Sequence, residues 1–561
     1  MRQGWLHGIP YPHWMPSANY GAGEPRFMFY PPLIWMLGAA LGFVLPWQFV
    51  PIALVFLFLA GTGLAVRALA LEALPDATAT LAGCAALFSG FALFTAYERT
   101  AFAEMTGAFW IPLLLLFALR DGNPSGSVGR RALDGSTLPM ALLLACCWLS
   151  DGPVGVMASY LLVAVALAAA LGCRTWAHLI RASIAAALGI GLPAFYLVPA
   201  AREQRWVDLL AAVNLPVYKI ENNWIFARHT EPSLVPYAMV LHRASVLAVS
   251  MIGVALAGMV VVFLRRRFSG SGVKMDRRWW IPLAIIPAVV LFLQFPASLP
   301  VWNLLPKLRF LQYPWRWVLV VEAPMAIFFA AAVLPAPSAR RWQRGAVAAV
   351  CALVFLAATF AAGRTFLRAC KEGDTVADLL DQYRDGGGLE GTDEYEPPDT
   401  DHWKIATGLA DACFSEDSDT TLGIVAQGEA IPAWRPEQGS CEATATAQLR
   451  QPEHMRIATV APHPGYLILR LLSYPAWRIT VNGHGVDPAA ADPRDDGLIV
   501  VPVPQGRVEL AVDWTTTPDV IAGRCLSGLA LALLIALGLA ERKTAAPRRD
   551  HNRSGSGVGY S

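Results

Sequence analysis

Apolar runs recur along the chain at 47–66, 78–96, 105–119, 138–150, 154–172, 182–200, 244–264, 279–295, 315–335, 345–363 and 519–540. A helix rises about 1.5 Å per residue and a bilayer's hydrocarbon core is about 30 Å thick, so about 20 apolar residues cross it. The pattern predicts about eleven spanning helices, of which the runs within 105–150 are the shortest. Leu33–Leu45 is closed off by Pro31-Pro32 and Pro46, is too short to span, and reads as a juxtamembrane helix. Residues 1–30 are aromatic, rich in Pro and Gly, and lack the charged, apolar and cleavage segments of a signal peptide. A polytopic chain that opens on such a loop is expected to follow a first span lying upstream.

Beyond residue 363 the period changes. From Lys371 to Asp419 there are fifteen Asp/Glu against three Lys/Arg, with Gly386–Gly388 among them, which predicts a partly flexible acidic surface segment. From about 420 short alternating runs follow: TLGIVAQ, ATATAQLR, MRIATV, YLILRLLS, WRITVNG, GLIVVPV and RVELAVDW. Asn482-Gly483 and Gln505-Gly506 mark turns between strands. Ile479 and Val481 alternate with Arg478, Thr480 and Asn482, and Val508 and Leu510 alternate with Arg507 and Glu509, so one face of each strand is apolar. The fold class is therefore a polytopic α-helical membrane protein carrying an extracytoplasmic β-sandwich-like domain. Its expected parts are an outer loop and juxtamembrane helix (1–46), a multi-span domain (47–363), the acidic segment and β-sandwich (364–518), a final span (519–540) and a tail (541–561).

Composition agrees with the pattern. The 561 residues are 55% hydrophobic and only 15% charged, which excludes an ordinary soluble domain. A net charge of +2 without a basic patch gives no footprint for nucleic acid. The basic residues gather in short connections: Arg120, Arg130 and Arg131; Arg174 and Arg181; Arg265–Arg267, Lys274, Arg277 and Arg278; Arg340, Arg341 and Arg344; and Arg542, Lys543, Arg548 and Arg549 in the tail. If the spans alternate, all five groups fall on one side, which the positive-inside rule makes cytoplasmic. That predicts a multi-pass protein of the inner (plasma) membrane, with 364–518 outside and the C-terminus inside. The nine cysteines show no CxxC or metal-ligand spacing. Cys413 and Cys441 can pair if their segment faces an oxidising compartment.

Candidate chemistry concentrates at the outer ends of the helices. Residues 306–320 (PKLRFLQYPWRWVLV) set Arg309, Gln312 and Arg316 among four aromatics at the mouth of a span. Glu98, Arg99 and Glu104 lie where one span ends and the next starts, Glu203 and Arg205 follow another, Glu24 and Arg26 lie in the first loop, and Asp151 breaks two helices. Taken singly, such groups can be interface anchors that snorkel to the headgroups. Taken together they suit a cavity for a lipid-linked anion, with arginine on phosphate and a carboxylate as general base. A transport vestibule has the same composition. No GxGxxG, Walker loop, HExxH or GxSxG is present, so no nucleotide, metal or other cofactor is implied.

The succession NYGAGEPRFMFYPPL, AYERTAFAEM, LPAFYLVPAAREQ, LRFLQYPWRW, DEYEPP, YPAWRITVNG and VPVPQGRVELAVDW resembles a bacterial membrane-protein family labelled "6-pyruvoyl-tetrahydropterin synthase-related" and close to YfhO-like proteins. That family in turn looks like the C-type glycosyltransferases, multi-span enzymes that use polyprenyl-phosphate sugars. The resemblance covers most of the chain. It implies transfer of a sugar from a polyprenyl-phosphate donor to an envelope glycan or lipid, among membrane lipids. By position it marks Glu98, Arg99 and Glu104 as the outer-loop acid–arginine element, Glu203 as the acid after the LPA helix end, and Gln312, Pro314, Trp315 and Arg316 as the QFPWR-like element. The sequence departs from the pattern at Trp14-Met15-Pro16-Ser17, where relatives read W-L-P-D. The usual acid of the first outer loop is thus missing, which leaves Glu24 or Glu104 to activate the acceptor, with Glu98, Arg99, Glu203, Arg309, Gln312 and Arg316 on substrate. A transporter or flippase for lipid-linked glycans, and an envelope assembly protein, are the alternatives.

The orientation has a direct test. Cysteines placed at Asp385 and Gly485 should react with an impermeant maleimide in intact cells, and Ser271→Cys should not; labelling of position 271 from outside would sink the topology.

Overall fold

A computed structural model describes residues 1–545, apart from 121–135, 210, 230, 270–275, 335–339, 368–372, 374, 399, 401–404, 406–408, 417–440, 488–493 and 495. Among the described residues, eight helices are long and apolar enough to cross a membrane, or up to ten if two bent pairs each count as one span. Thr137–Ser150 is a shorter apolar helix, so each of the eleven apolar runs is occupied by helix. The chain is a polytopic helical membrane protein with a C-terminal β-sheet domain.

Two runs that read as straight spans are bent. Ala177–Gly191 and Ala194–Trp206 meet at 68°, and Trp279–Leu293 and Pro296–Leu304 meet at 102°. Each break carries a proline, Pro193 or Pro296, whose ring cannot continue the preceding helix. Of the eight spans, Pro314–Val333 is the most enclosed by other helices and Arg341–Phe366 the least. Trp342, Leu353 and Phe360 on the latter are each about two-thirds exposed, the pattern expected of a helix whose solvent is lipid.

The β-domain has two antiparallel sheets. One runs in the order β2 (Ala443–Ala445), β1 (Ala412–Ser415), β5 (Gly465–Leu472), β8 (Leu498–Val503). The other runs β3 (Leu449–Gln451), β4 (His454–Ala461), β9 (Gly506–Trp514), β6 (Trp477–Val481), β7 (His484–Val486). The alternation holds: Ile479, Val481, Val508 and Leu510 are buried, whereas Arg478 and Glu509 face out. Asn482 and Gly483 both take positive φ (51° and 80°) and join β6 to β7 in a two-residue hairpin with Val481 opposite His484. The expected TLGIVAQ strand lies outside the described residues.

Among its described residues the acidic segment holds short regular elements. Val376–Arg384 is a helix whose cap is reciprocal: Thr375 Oγ1 accepts from Asp378 N at 3.1 Å, and Asp378 Oδ2 accepts from Thr375 N at 3.3 Å. Ala412–Ser415 is a fully buried strand, too short for its period to show in the sequence. Cys413 and Cys441 are joined by a disulfide, with Cα atoms 5.6 Å apart.

The N-terminal loop docks on this domain. Trp14 is buried against Trp477 and Trp514, with ring centroids at 5.1 and 5.7 Å. Gly23, at φ 77°, lets the chain fold over it, since a Cβ there would lie 2.1 Å from Trp14 Nε1.

A disulfide that closes a 28-residue separation stabilises by about 2–4 kcal/mol, mainly through the unfolded state. Cys413→Ala/Cys441→Ala should therefore lower the unfolding free energy of the β-domain by about that amount, read by denaturant unfolding with and without reductant. Equal stability of the variant and the oxidised wild type would contradict this.

Candidate functional site

Three spans begin at one place. Phe102–Leu119 carries Glu104 in its first turn. Gly152–Cys173 is capped by Asp151, whose carboxylate accepts from Val154 N at 3.2 Å. Val318–Val333 is preceded by a 3-10 turn, Pro314–Trp317, that carries Arg316. The proline thus opens the span as its fixed φ favours, four residues before the regular α-helix starts at Val318. Helix starts present unpaired N–H groups and the positive ends of their dipoles, so their meeting favours negative charge. Close packing holds them together: a Cβ on Gly107 would lie 2.4 Å from Val154 Cγ1. Trp110 Nε1 donates to Ser150 Oγ at 3.1 Å, and buried Gln294 donates through Nε2 to Pro314 O at 2.9 Å.

The side chains at this junction form a charged cluster. Glu104 is buried, 2.8 Å from Arg99 Nη1 and 3.5 Å from Arg316 Nε through its Oε2. These are ion pairs by distance. Arg99 Nη1, Arg316 Nε and Glu104 Oε1 have no directed hydrogen-bond partner among the described residues. Arg316 Nη1 donates to Leu311 O at 2.9 Å and to Gln312 Oε1 at 3.0 Å. The guanidinium of Arg99 lies 4.7 Å from the Trp315 ring, and that of Arg316 lies 4.9 Å from the Tyr313 ring. Asp151 and Tyr30 lie within electrostatic reach of Arg316 and Glu104. Burial pushes the Asp151 carboxyl up to about 6, against the pull of Arg316.

The backbone around the cluster is strained. Gln312 has φ 63° and ψ −43°, and Tyr313 N donates to Leu311 O at 2.6 Å, the geometry of a γ-turn rarely adopted outside glycine. Phe94–Glu98 is a π-helical turn and Thr100 has φ 47°. Such outliers persist only where the surroundings over-determine them, and they concentrate at functional sites.

Of the residues singled out in the sequence, Arg99, Glu104, Gln312 and Arg316 meet here. Glu24 stands at the edge, fully buried and with both oxygens engaged. Oε1 accepts from Arg26, and Oε2 accepts from Thr392 N at 3.0 Å. Burial raises its carboxyl although Arg26 opposes this. Arg26 also donates to Thr392 Oγ1, which ties the first loop to the Asp393–Tyr395 turn. Three residues do not join the cluster. Glu98 pairs with Arg243 at 2.5 Å. Arg309 pairs with Glu221 on a half-exposed surface. Glu203 is buried between the β-domain and the last span, accepting from the Tyr474 hydroxyl and from Thr517 Oγ1 at 2.8 Å.

Asp151 is singled out in the sequence as a helix breaker and given no role on substrate, although an Asp-Gly-Pro cap between two spans is itself a signal of a carboxylate at a helix start; Glu322 is missed altogether. Glu322 hides in the apolar run VLVVEAP; it is buried within the Pro314–Val333 span and accepts from Ser89 Oγ. As for metals, Glu416, Glu442 and His463 could together hold an ion on the exposed β-domain, with His463 Nε2 2.8 Å from Glu442 and 3.3 Å from Glu416. A protonated imidazole bridging two carboxylates explains that group equally well.

No family model matches the chain, nor does any curated protein. Among solved structures, ArnT from Cupriavidus metallidurans bound to undecaprenyl phosphate aligns over 59% of this chain and 70% of its own, at 16% identity and a TM-score of 0.25. A likeness that low carries no argument about this chain.

The shifted Asp151 gives a pH test. A carboxyl raised from its ordinary value near 3.8 to about 6 stabilises the fold fully below pH 4, and that contribution is lost as pH rises through 6. Asp151→Asn keeps a capping side chain, so the variant should lose this component of the pH dependence between 4 and 6. Parallel wild-type and variant Tm–pH curves would refute the buried-carboxyl assignment.

Proposed function

We propose that the protein is a membrane glycosyltransferase of the C-type, moving a sugar from a polyprenyl-phosphate donor to a hydroxyl acceptor on the outer face. The observation that carries this reading is the meeting of Arg99, Glu104, Arg316 and Asp151 at the starts of three spans. Arg99 and Arg316 hold the donor phosphate through the sides of their guanidinium groups turned away from Glu104, and Glu104 keeps the two groups side by side. Asp151, with its near-neutral carboxyl, takes the proton from the acceptor hydroxyl. The acceptor oxygen bonds to the anomeric carbon, the bond from that carbon to the phosphate oxygen breaks, and the polyprenyl phosphate leaves with the electron pair beside the arginines. Glu24, with both oxygens bonded, braces the first loop. The Cys413–Cys441 disulfide supports an outward-facing β-domain, because such bonds persist in oxidising compartments.

A second reading, a flippase for lipid-linked glycans, draws on Glu322. A carboxylate buried in the most enclosed span is what an ion-coupled path would use. Glu322→Gln separates the two: loss of glycan translocation in proteoliposomes with sugar transfer intact favours the flippase.

Transfer from a radiolabelled polyprenyl-phosphate sugar, measured on membranes, tests the main reading. Arg316→Lys should keep expression and insertion but weaken donor binding by about 1–3 kcal/mol, the range for a lost charge-assisted bond. Arg309→Lys, at a surface pair, should leave donor binding unchanged. Asp151→Asn should slow transfer by about 10²–10⁴-fold. Wild-type donor affinity in Arg316→Lys would return the aromatic–arginine motif to a membrane anchor.

A further inference from the structure

A cavity of about 310 Å³ lies between the N-terminal loop, the end of the Val376–Arg384 helix and the β-domain. That is at the lower end of ligand pockets, room for a single sugar and its substituent. None of its lining residues belongs to the helix-end cluster. Its charged side chains are two arginines, Arg450 on β3 and Arg470 on β5, and no carboxylate among the described residues lines it. Asp411 lies behind both, accepting from Arg450 Nη1 and from Arg470 Nη2 at 3.1 Å through the same oxygen. One carboxylate against two guanidinium groups leaves the pair with a net positive charge.

The arginines are built in rather than splayed on the surface. Arg450 Nη2 donates to Gly21 O and to Arg470 O at 3.1 Å, and Arg470 Nη1 donates to Gly386 O at 3.2 Å. Arg470 Nε is buried without a hydrogen-bond partner among the described residues. Gly21 makes room for this guanidinium, since a Cβ there would lie 3.2 Å from Arg470 Nη1. The loop that carries Ser17 and Gly21 is pinned by main-chain bonds, Leu389 N to Ser17 O at 2.6 Å and Tyr20 N to Leu389 O at 2.9 Å. Around the arginines the lining offers hydroxyl, amide and imidazole groups from Ser17, Gln3 and His7, and the half-exposed ring of Tyr383.

We infer that this cavity binds a sugar bearing an oxyanion, either a carboxylate or a phosphate. A planar guanidinium matches both anions, the ring of Tyr383 offers an apolar face to the sugar, and the polar lining suits its hydroxyls. The assignment does not rest on the transferase reading, and its readout is binding alone.

Isothermal titration of the purified full-length protein in nanodiscs tests it with D-glucuronate, glucose 6-phosphate, D-glucose and inorganic phosphate. Glucuronate or glucose 6-phosphate should bind at least about tenfold more tightly than glucose, and a preference between them identifies the oxyanion. Arg470→Gln should weaken the preferred ligand about tenfold or more. Tyr383→Ala, at an exposed helix end where the fold does not depend on it, should weaken it about threefold or more. The inference is overturned if glucose binds as well as the charged sugars, if inorganic phosphate matches glucose 6-phosphate, if no probe binds, or if both variants keep wild-type affinity.

Discussion

A carboxylate enclosed at the end of an apolar helix bundle survives only where positive groups meet it, and one end of this bundle is arranged around that requirement. Glu104 sits between Arg99 and Arg316, while three helix starts add their own positive ends. Removing a guanidinium would strand a buried charge, which costs far more than an exposed pair ever contributes. The pairing therefore fixes which spans are neighbours at this end, and Gly107 against Val154 and Gln294 against Pro314 fix how closely they approach.

Buried carboxylates elsewhere join parts of the chain that are far apart in sequence. Glu24 ties the first loop to Thr392, and Glu203 ties a bent span to Tyr474 of the β-domain and Thr517 before the last span. The Trp14, Tyr474, Trp477 and Trp514 rings fill the space between loop and sheet. The β-domain is thus packed and hydrogen-bonded to the helical part, rather than tethered to it only through linkers. Strained Thr100 and Gln312 lie beside Arg99 and Arg316, which Glu104 holds.

Carboxylates of one type end up with different properties because their surroundings differ. Asp151 combines burial with a cluster of mixed sign, and desolvation pushes its carboxyl up to about 6. Asp411, facing Arg450 and Arg470, is held below its ordinary range despite desolvation. The first arrangement suits proton transfer, and the second suits a fixed anion that organises cations around a cavity.

The local patterns were legible along the chain. Runs of about twenty apolar residues set the spans, because every backbone group inside a bilayer must be bonded within its own helix. Alternation in WRITVNG and RVELAVDW set the strand faces, and Asn482-Gly483 set its hairpin, because period and turn chemistry act over a few residues. What the sequence alone did not decide was partnership. Arg99, Arg316 and Glu104 come together whereas Glu98, Arg309 and Glu203 find other partners, though all six look alike as helix-end charges. Asp151 and Glu322 acquire their significance only from what packs around them. Charge pairing and desolvation are set largely by neighbours distant in sequence, 271 residues away for Glu203 and Tyr474, and only the tertiary structure brings those neighbours within reach.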